Sequence, residues 1–311
     1  MKSYVLSLIA LLSCLLLFGC GGSSSDSRSS GSSTSSTPVP QFDHVVLLME
    51  ENHSYSDVIG NPAMPFLNSL AQKNALATNY FADVHTSIGN YFMLTTGQVI
   101  TLDDAFTATV TQDNIVRELN GANKSWRSYA EGLPSAGYLG GDVYPYLRHH
   151  NPVTYFSDVT QSARPANNVL PFTQFAEDLA ANNLPNFSLV IPDAEHDAHD
   201  CPTGGQMCAD NDRLAAADQW LQQNLTPLIN NAAFQSSGLL LIVFDEGNFL
   251  DLSHGGGHVP VVIVSSRART GFQSTAFYQH ENTLRMIMQA TGANRYPGAS
   301  ANAADMGEFF H

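Results

Sequence analysis

The chain has 311 residues, of which 28 are acidic and 13 basic, and its formal net charge of −15 argues against binding nucleic acid or an anionic membrane surface by charge. Charged residues make up 13%, about half of the ~25% usual in globular proteins, while 43% are apolar, so wholesale disorder and a coiled coil are excluded. The length allows one large α/β domain or two average ones, and composition names no chemistry.

At the N-terminus Met1-Lys2 is followed by an apolar stretch over residues 4–18, too short for the ~20 residues of a membrane span, then by Gly19-Cys20 and an abrupt change to Gly, Ser and Thr. This reads as a secretory signal. Its Leu17-Phe18-Gly19-Cys20 ending resembles the bacterial lipobox, which implies a signal peptide over 1–19 and a lipid on Cys20. Residues 20–40 hold almost nothing that can be buried and are expected to form a Gly/Ser-rich tether, leaving 41–311 as the folded domain. The expected location is the cell envelope, lipid-anchored in a bacterial outer membrane on its periplasmic or surface side. Cys201 and Cys208 are the only cysteines after Cys20, and an oxidising compartment pairs them as a disulfide, since two thiolates alone make a poor zinc site.

From Phe42 onward short apolar runs alternate with amphipathic stretches, the pattern of an α/β fold with a central, mostly parallel sheet and helices on both faces. In chain order the pattern predicts a strand over 44–49 and helices over 65–75, 88–96 and 113–120. A segment rich in Tyr, Gly, Pro and His over 128–171 reads as long loops. A helix over 173–181, a strand over 187–191, a helix over 212–224, strands over 239–244 and 259–264 and a helix over 281–290 complete the chain.

The strand ends matter most, because ligands of open α/β sheets sit beyond the carboxyl ends of the strands. There the chain carries Glu50-Glu51-Asn52-His53, then Asp193-Ala194-Glu195-His196-Asp197, then Asp245-Glu246-Gly247. Carboxylates gathered at one edge repel one another unless a cation lies between them. Glu51, Asn52, Asp245 and Glu246 offer oxygen ligands, which suits Mg²⁺, Mn²⁺ or Ca²⁺, with Zn²⁺ or Fe open if a histidine joins. A charged turn capping a strand is the ordinary alternative for any one pair. Ser87 stands at the expected start of a helix, where free N–H groups favour a phosphate and an alkoxide nucleophile, and a metal beside it would lower the hydroxyl pKa. A plain N-cap role for Ser87 or Thr86 is the alternative.

These residues, with the 85–97 stretch, Pro185 to Asp193, His196-Asp197 and His258-Val259-Pro260, resemble the bacterial and fungal phosphoesterase family. That family includes acid phosphatases, a secreted phosphatidylinositol-3-phosphatase and phospholipases C. The resemblance spans nearly all of 41–290 and implies an alkaline-phosphatase-like fold, with a metal held by Glu51, Asn52, Ser87, Asp245 and Glu246. It implies Ser87 as nucleophile, with Thr86 its competitor, Asn90 as donor to a phosphate oxygen, and a phosphoserine intermediate. His196 and His258 are candidate general acids or phosphate contacts, with His196 favoured over His199 in an acidic loop that is otherwise a surface cluster or a structural Ca²⁺ site. His149 and His150 match a segment near the family's pocket, or simply face solvent; His53 adjoins the metal pair; His280 and His311 receive no role. The tyrosines between 129 and 155 pack the loops or wall the ligand site.

The expected activity is metal-dependent hydrolysis of phosphate monoesters of the acid-phosphatase type. Phospholipase C action on phosphodiesters is the second reading, and a non-catalytic, ligand-binding surface lipoprotein the third. The expected partners are a small phosphate ester or a phospholipid headgroup, and the membrane through the Cys20 lipid; neither nucleic acid nor a protein partner is inferred.

Overall fold

The computed structural model describes residues 37–164, 167–202, 204 and 207–311, and the expected signal peptide, Cys20 and the tether up to residue 36 lie outside it. Along the chain run β1 (His44–Glu50), α1 (Tyr55–Val58), α2 (Pro65–Lys73), β2 (Ala75–Ala77), α3 (Ser87–Thr96), α4 (Ile115–Gly121) and β3 (Trp126–Ala130). They are followed by α5 (Ser157–Thr160), β4 (Val169–Pro171), α6 (Thr173–Ala180), β5 (Phe187–Ile191), α7 (Asp210–Asn230) and α8 (Ala232–Ser237). The chain ends with β6 (Gly238–Phe244), β7 (Val261–Val264), β8 (Phe272–Ser274) and α9 (His280–Thr291).

The strands form one eight-stranded sheet in the order β4-β3-β5-β1-β6-β7-β2-β8. Pairing is parallel except around β7, which runs antiparallel to both β6 and β2. The reason is connectivity: a parallel neighbour needs a crossover, usually a helix, whereas residues 245–260 turn the chain back as a loop. Every residue of β5 and β6, and of β1 from Val45 on, is buried, so both faces of the sheet are covered, as continuous apolar strands require. α3 packs on α9 and α2 on α7. Asp218 of α7 accepts hydrogen bonds from the backbone N–H groups of Phe66 and Leu67 at 2.9 and 2.8 Å, satisfying the free donors of α2's first turn.

Three differences from the sequence pattern are instructive. The 128–171 segment is not all loop: the end of β3, the short α5 and the edge strand β4 lie within it, elements of too few residues to show periodicity. Ala75 starts β2 instead of ending a helix, and α7 runs on through Pro227 to Asn230. Val39 is 8% exposed and joins the core, so packing starts ahead of residue 41. Among the described residues every member of the core cluster lies between Val39 and Phe310, so a chain beginning at residue 36 retains all of it.

Candidate active site

The register of β5, β1 and β6 brings three acidic strand ends side by side. Leu48 of β1 pairs with Val190 of β5 on one side and Ile242 of β6 on the other. Just past the strands, the Asp245 N–H donates to Glu50 O at 2.9 Å and the Glu51 N–H to Asp197 O at 2.7 Å. Successive side chains of a strand point to opposite faces, so Glu50 and Glu51 part company. Glu50 is buried with no hydrogen-bond partner for either oxygen, and Glu51 enters the site.

Glu51 is fully buried and heavily engaged. Its Oε2 accepts from Ser87 Oγ at 3.0 Å and its Oε1 from the Tyr91 hydroxyl at 2.6 Å. Ser87 is the first residue of α3 and Tyr91 stands four residues on, so both present to the same side of the helix. His150 stacks on the Tyr91 ring, with centroids 5.1 Å apart, and its two ring nitrogens lie 3.5 Å from Glu51 Oε1 and 3.3 Å from Asp197 Oδ2. Asp245 Oδ1 accepts from the N–H groups of Asn52 and Glu246, which fixes the carboxylate and the left-handed Asn52 (φ 51°) together. Glu246 Oε2 lies 3.1 Å from His85 Nδ1.

So much negative charge in so little water drives these groups toward their neutral forms. Burial, then the charges of Asp245 and Asp197, raises the Glu51 carboxyl well above the usual range. Burial raises Asp197 well above its usual range, brings Asp245 up to about 6 and, with the Asp245 charge, Glu246 to about 9. Burial pushes His150 down, with the neighbouring histidines acting in the same direction, so the imidazole is neutral and donates from one nitrogen only. Among the described residues no lysine or arginine makes an ion pair with these carboxylates.

A divalent cation fits this cluster by the chemistry of its atoms. Asn52 Oδ1 and Asp245 Oδ2 are buried and have no hydrogen-bond partner, and Asp197 Oδ2 has only its contact with His150. Buried oxygens left open in this way are costly unless something positive completes them. Ligand atoms of Glu51, His150 and Asp197 also lie within 4.8 Å of one another. The histidine that the pure oxygen set lacked is thus His150.

Of the residues singled out in the sequence, Ser87 meets Glu51 through its hydroxyl, Asn52 meets Asp245 through its backbone N–H, and Glu246 adjoins Asp245 but turns Oε2 to His85. The others stand elsewhere. Both ends of the Asn90 amide are spent on the turn before Ser87: Oδ1 accepts from Asp83 and Val84 N–H, and Nδ2 donates to Val84 O at 2.7 Å and to Thr86 O at 3.4 Å. Asn90 therefore shapes the turn and has no donor left for a phosphate oxygen. His196 is clamped between Glu131 and Asp193, at 3.0 and 3.2 Å, and these two hydrogen bonds raise it to about 10. With Glu131 and Asp193 it forms a second group of potential ligands, and it lines a cavity of about 770 Å³ beside Asp212 and Trp220 that neither Ser87 nor Asp245 touches. A proton held that firmly is a poor general acid near neutral pH. His258 donates from Nε2 to Thr78 O at 3.0 Å and stacks on Tyr55. His199, ranked below His196 in the sequence, lies nearer the centre, with its ring 6.5 Å from that of His150.

The sequence assigns no role to Tyr91 or His85; of its two alternatives for His150 the structure gives the pocket, where His150 lies buried between Glu51 and Asp197. For Tyr91 a signal existed, its spacing of four from Ser87 on a helix. Its hydroxyl holds Glu51 in place, so Tyr91→Phe is expected to weaken divalent-cation affinity by roughly 10-fold or more, read by calorimetry, with the fold unchanged by circular dichroism. Equal affinity in the variant would show that Glu51 is held without it. The Cys201–Cys208 disulfide forms as expected and closes the loop beyond His199.

Comparisons with known proteins give the family and the fold. Residues 61–293 match the model of the Phosphoesterase family. A phosphatidylinositol-3-phosphatase from Mycobacterium tuberculosis is 31% identical over 267 residues, which is 85% of this chain and 82% of the relative. A phosphate-repressible acid phosphatase from Penicillium chrysogenum is 33% identical, covering 58% of this chain and 43% of its own. An acid phosphatase from Aspergillus fumigatus is 28% identical, covering 76% and 52%, so the chain spans about half the length of these fungal relatives. Among solved structures, a protein of the alkaline phosphatase superfamily from Vibrio parahaemolyticus superposes with a TM-score of 0.61 at 13% identity, covering 84% of this chain and 69% of that one. A phosphonate monoester hydrolase from Agrobacterium radiobacter gives 0.53 at 14% identity, covering 86% and 77%. At such identities the likeness is one of fold, the alkaline-phosphatase-like α/β architecture.

Proposed function

The chain belongs to the Phosphoesterase family, and from that premise we propose that this phosphoric ester hydrolase is an acid-phosphatase-type phosphomonoesterase with Ser87 as its nucleophile. One observation carries the proposal: the Ser87 hydroxyl, at the first residue of α3, donates at 3.0 Å to a buried carboxylate beside ligand oxygens that have no partner. Glu51, Asn52, Asp245 and Glu246 would hold a divalent cation, which when bound supplies Lewis acidity that lowers the hydroxyl pKa and offsets charge on the phosphoryl group.

The chain's own groups do the rest. Glu51 Oε2 takes the Ser87 proton as Oγ attacks phosphorus, the Oγ–P bond forms in line as the bond to the leaving oxygen breaks, and the leaving oxygen takes a proton from solvent. Water then attacks the phosphoserine, the P–Oγ bond breaks, Oγ takes its proton back from Glu51 and phosphate leaves with the proton of the attacking water. In the first turn of α3 the Ile88 N–H donates to Asp104 and the Gly89 N–H to Thr86 O, so the Ser87 N–H is the donor there that would meet an equatorial oxygen and its growing charge. Tyr91 and His150 keep Glu51 oriented, and the backbone bonds of Asn90 hold the turn that presents Ser87.

Monoester hydrolysis is favoured over diester hydrolysis because the relatives described above are all named phosphatases. The test uses residues 36–311 with p-nitrophenyl phosphate, p-nitrophenyl phosphorylcholine and a phosphoinositide, with and without chelator. The expected result is chelator-sensitive release from the monoesters. Turnover of the choline ester alone would make the protein a phospholipase C, and no turnover with any divalent metal would leave a ligand-binding lipoprotein.

We also propose that residues 1–19 are a lipoprotein signal peptide, that Cys20 carries the lipid, that the chain from 20 to 38 is a tether, Val39 already belonging to the core, and that the cell envelope is the location. The Leu17-Phe18-Gly19-Cys20 ending supports this. Cys20→Ala is expected to abolish labelling by radioactive palmitate and to move the protein out of the membrane fraction; retained labelling would refute the anchor.

A further inference from the structure

Folding hides large apolar side chains unless their exposure serves something. Phe249, Leu250 and Leu252 are 75%, 76% and 72% exposed, and they fall within four positions of one loop that begins directly after Asp245 and Glu246.

The loop is built to hold them out. Asp251, between the tips, turns inward: its carboxylate accepts from Ser54 Oγ at 3.3 Å, from Ser253 N–H at 3.1 Å and from His258 N–H at 2.9 Å. The Asp251 carbonyl accepts from His85 Nε2 at 2.9 Å, and the other nitrogen of that ring lies 3.1 Å from Glu246. The returning glycines lie against the backbone that leads to Ser87. A Cβ on Gly255 would fall 2.0 Å from Asp83 O and one on Gly256 2.3 Å from Val84 O, so these glycines are close-packed and do not act as a flexible hinge. The apolar tips are therefore fixed relative to the candidate site through one imidazole and one backbone contact. Two more exposed apolar groups border the same region. Leu102, 53% exposed, packs beside Gly89 of α3, and Phe277 stacks on Phe81 near His254 of the loop.

We infer that the loop carrying Phe249, Leu250 and Leu252 docks the protein on a zwitterionic lipid surface. The charge of the chain chooses the surface: at −15 overall, with neither Lys nor Arg between residues 247 and 257, the protein is repelled by an anionic surface and gains nothing from it by charge. Projecting apolar tips on a rigid turn are suited to the boundary between headgroups and acyl chains, where insertion is driven by apolar area alone. Headgroup phosphates lie at that boundary, and His85 ties the loop that carries the tips to Glu246 at the candidate site.

The test compares residues 36–311 with the triple variant F249S/L250S/L252S in sedimentation with phosphatidylcholine vesicles, alone or doped with a phosphoinositide, and in p-nitrophenyl phosphate turnover. The wild type is expected to sediment with both vesicles. The variant should lose vesicle affinity by ~10-fold or more, while p-nitrophenyl phosphate turnover stays within about twofold. A wild type that stays in the supernatant, or a variant that sediments equally, overturns the inference. So does wild-type self-association, lost in the variant, without vesicle binding, which would make the loop a protein interface. Loss of p-nitrophenyl phosphate turnover in both proteins would instead sink the phosphatase reading, and sedimentation would still decide the docking.

Discussion

Ser87→Ala is expected to lower kcat for p-nitrophenyl phosphate by ~10³-fold or more while KM moves only a few-fold, because the hydroxyl forms the bond to phosphorus and contributes little to ground-state binding. The change removes one hydrogen bond to Glu51 at a buried position and inserts nothing larger, so thermal unfolding should remain cooperative. Thr86→Ala is the matched control. Thr86 supplies the adjacent hydroxyl, makes no side-chain capping bond and leaves Oγ1 buried without a partner, so losing it should cost no more than about tenfold, or ~1.4 kcal/mol of barrier. An acid-quenched reaction with labelled substrate should leave phosphate on the peptide containing Ser87. If Ser87→Ala turns over normally and Thr86→Ala does not, the nucleophile moves by one residue.

The second large effect is on stability. Cation at about 100 times its Kd should stabilise the fold by about 2.7 kcal/mol, roughly 5–10 °C in melting temperature, and chelation should remove the gain. Asp245→Asn separates binding from folding. The substituted amide keeps an oxygen for the Asn52 and Glu246 N–H groups and turns an N–H donor into the carboxylate cluster. This variant should melt higher than chelated wild type and gain nothing from added cation. If its cation-induced gain matches that of the wild type, Asp245 is not a ligand.

Acidity reports on the same repulsion. Folded, Asp245 titrates at about 6 against an ordinary 3.8, and Glu246 at about 9 against 4.5, so both hold protons more tightly folded than unfolded. Folding then takes up protons, and metal-free stability falls as pH rises, between 3.8 and about 6 through Asp245 and between 4.5 and about 9 through Glu246. Saturating cation competes with those protons and should flatten the decline. Urea unfolding across that range, with and without chelator, measures it, and a metal-free stability that rises with pH would contradict the assigned proximity.

Much of this was legible in one dimension. The strand cores, their acidic ends and the Ser87 helix start follow from local apolar runs and turn chemistry, because a parallel strand covered on both faces must be continuously apolar and its carboxyl end is where polarity returns. The pairing of Cys201 with Cys208 needed only compartment and proximity along the chain. The short edge strands were illegible because three residues carry no period.

What the sequence determined by itself is therefore the inventory: Glu51, Asn52, Ser87, Asp245 and Glu246 at strand and helix ends of an α/β fold. Tertiary structure alone decided which of the remaining polar residues meet them. His150 and Asp197 reach Glu51 from distant stretches of the chain, His196 pairs instead with Glu131 and Asp193, and Asn90 turns back onto its own loop. The physical reason is that ion pairs and hydrogen bonds act over a few ångströms of space, and sequence separation carries no record of that distance until the sheet register has set it.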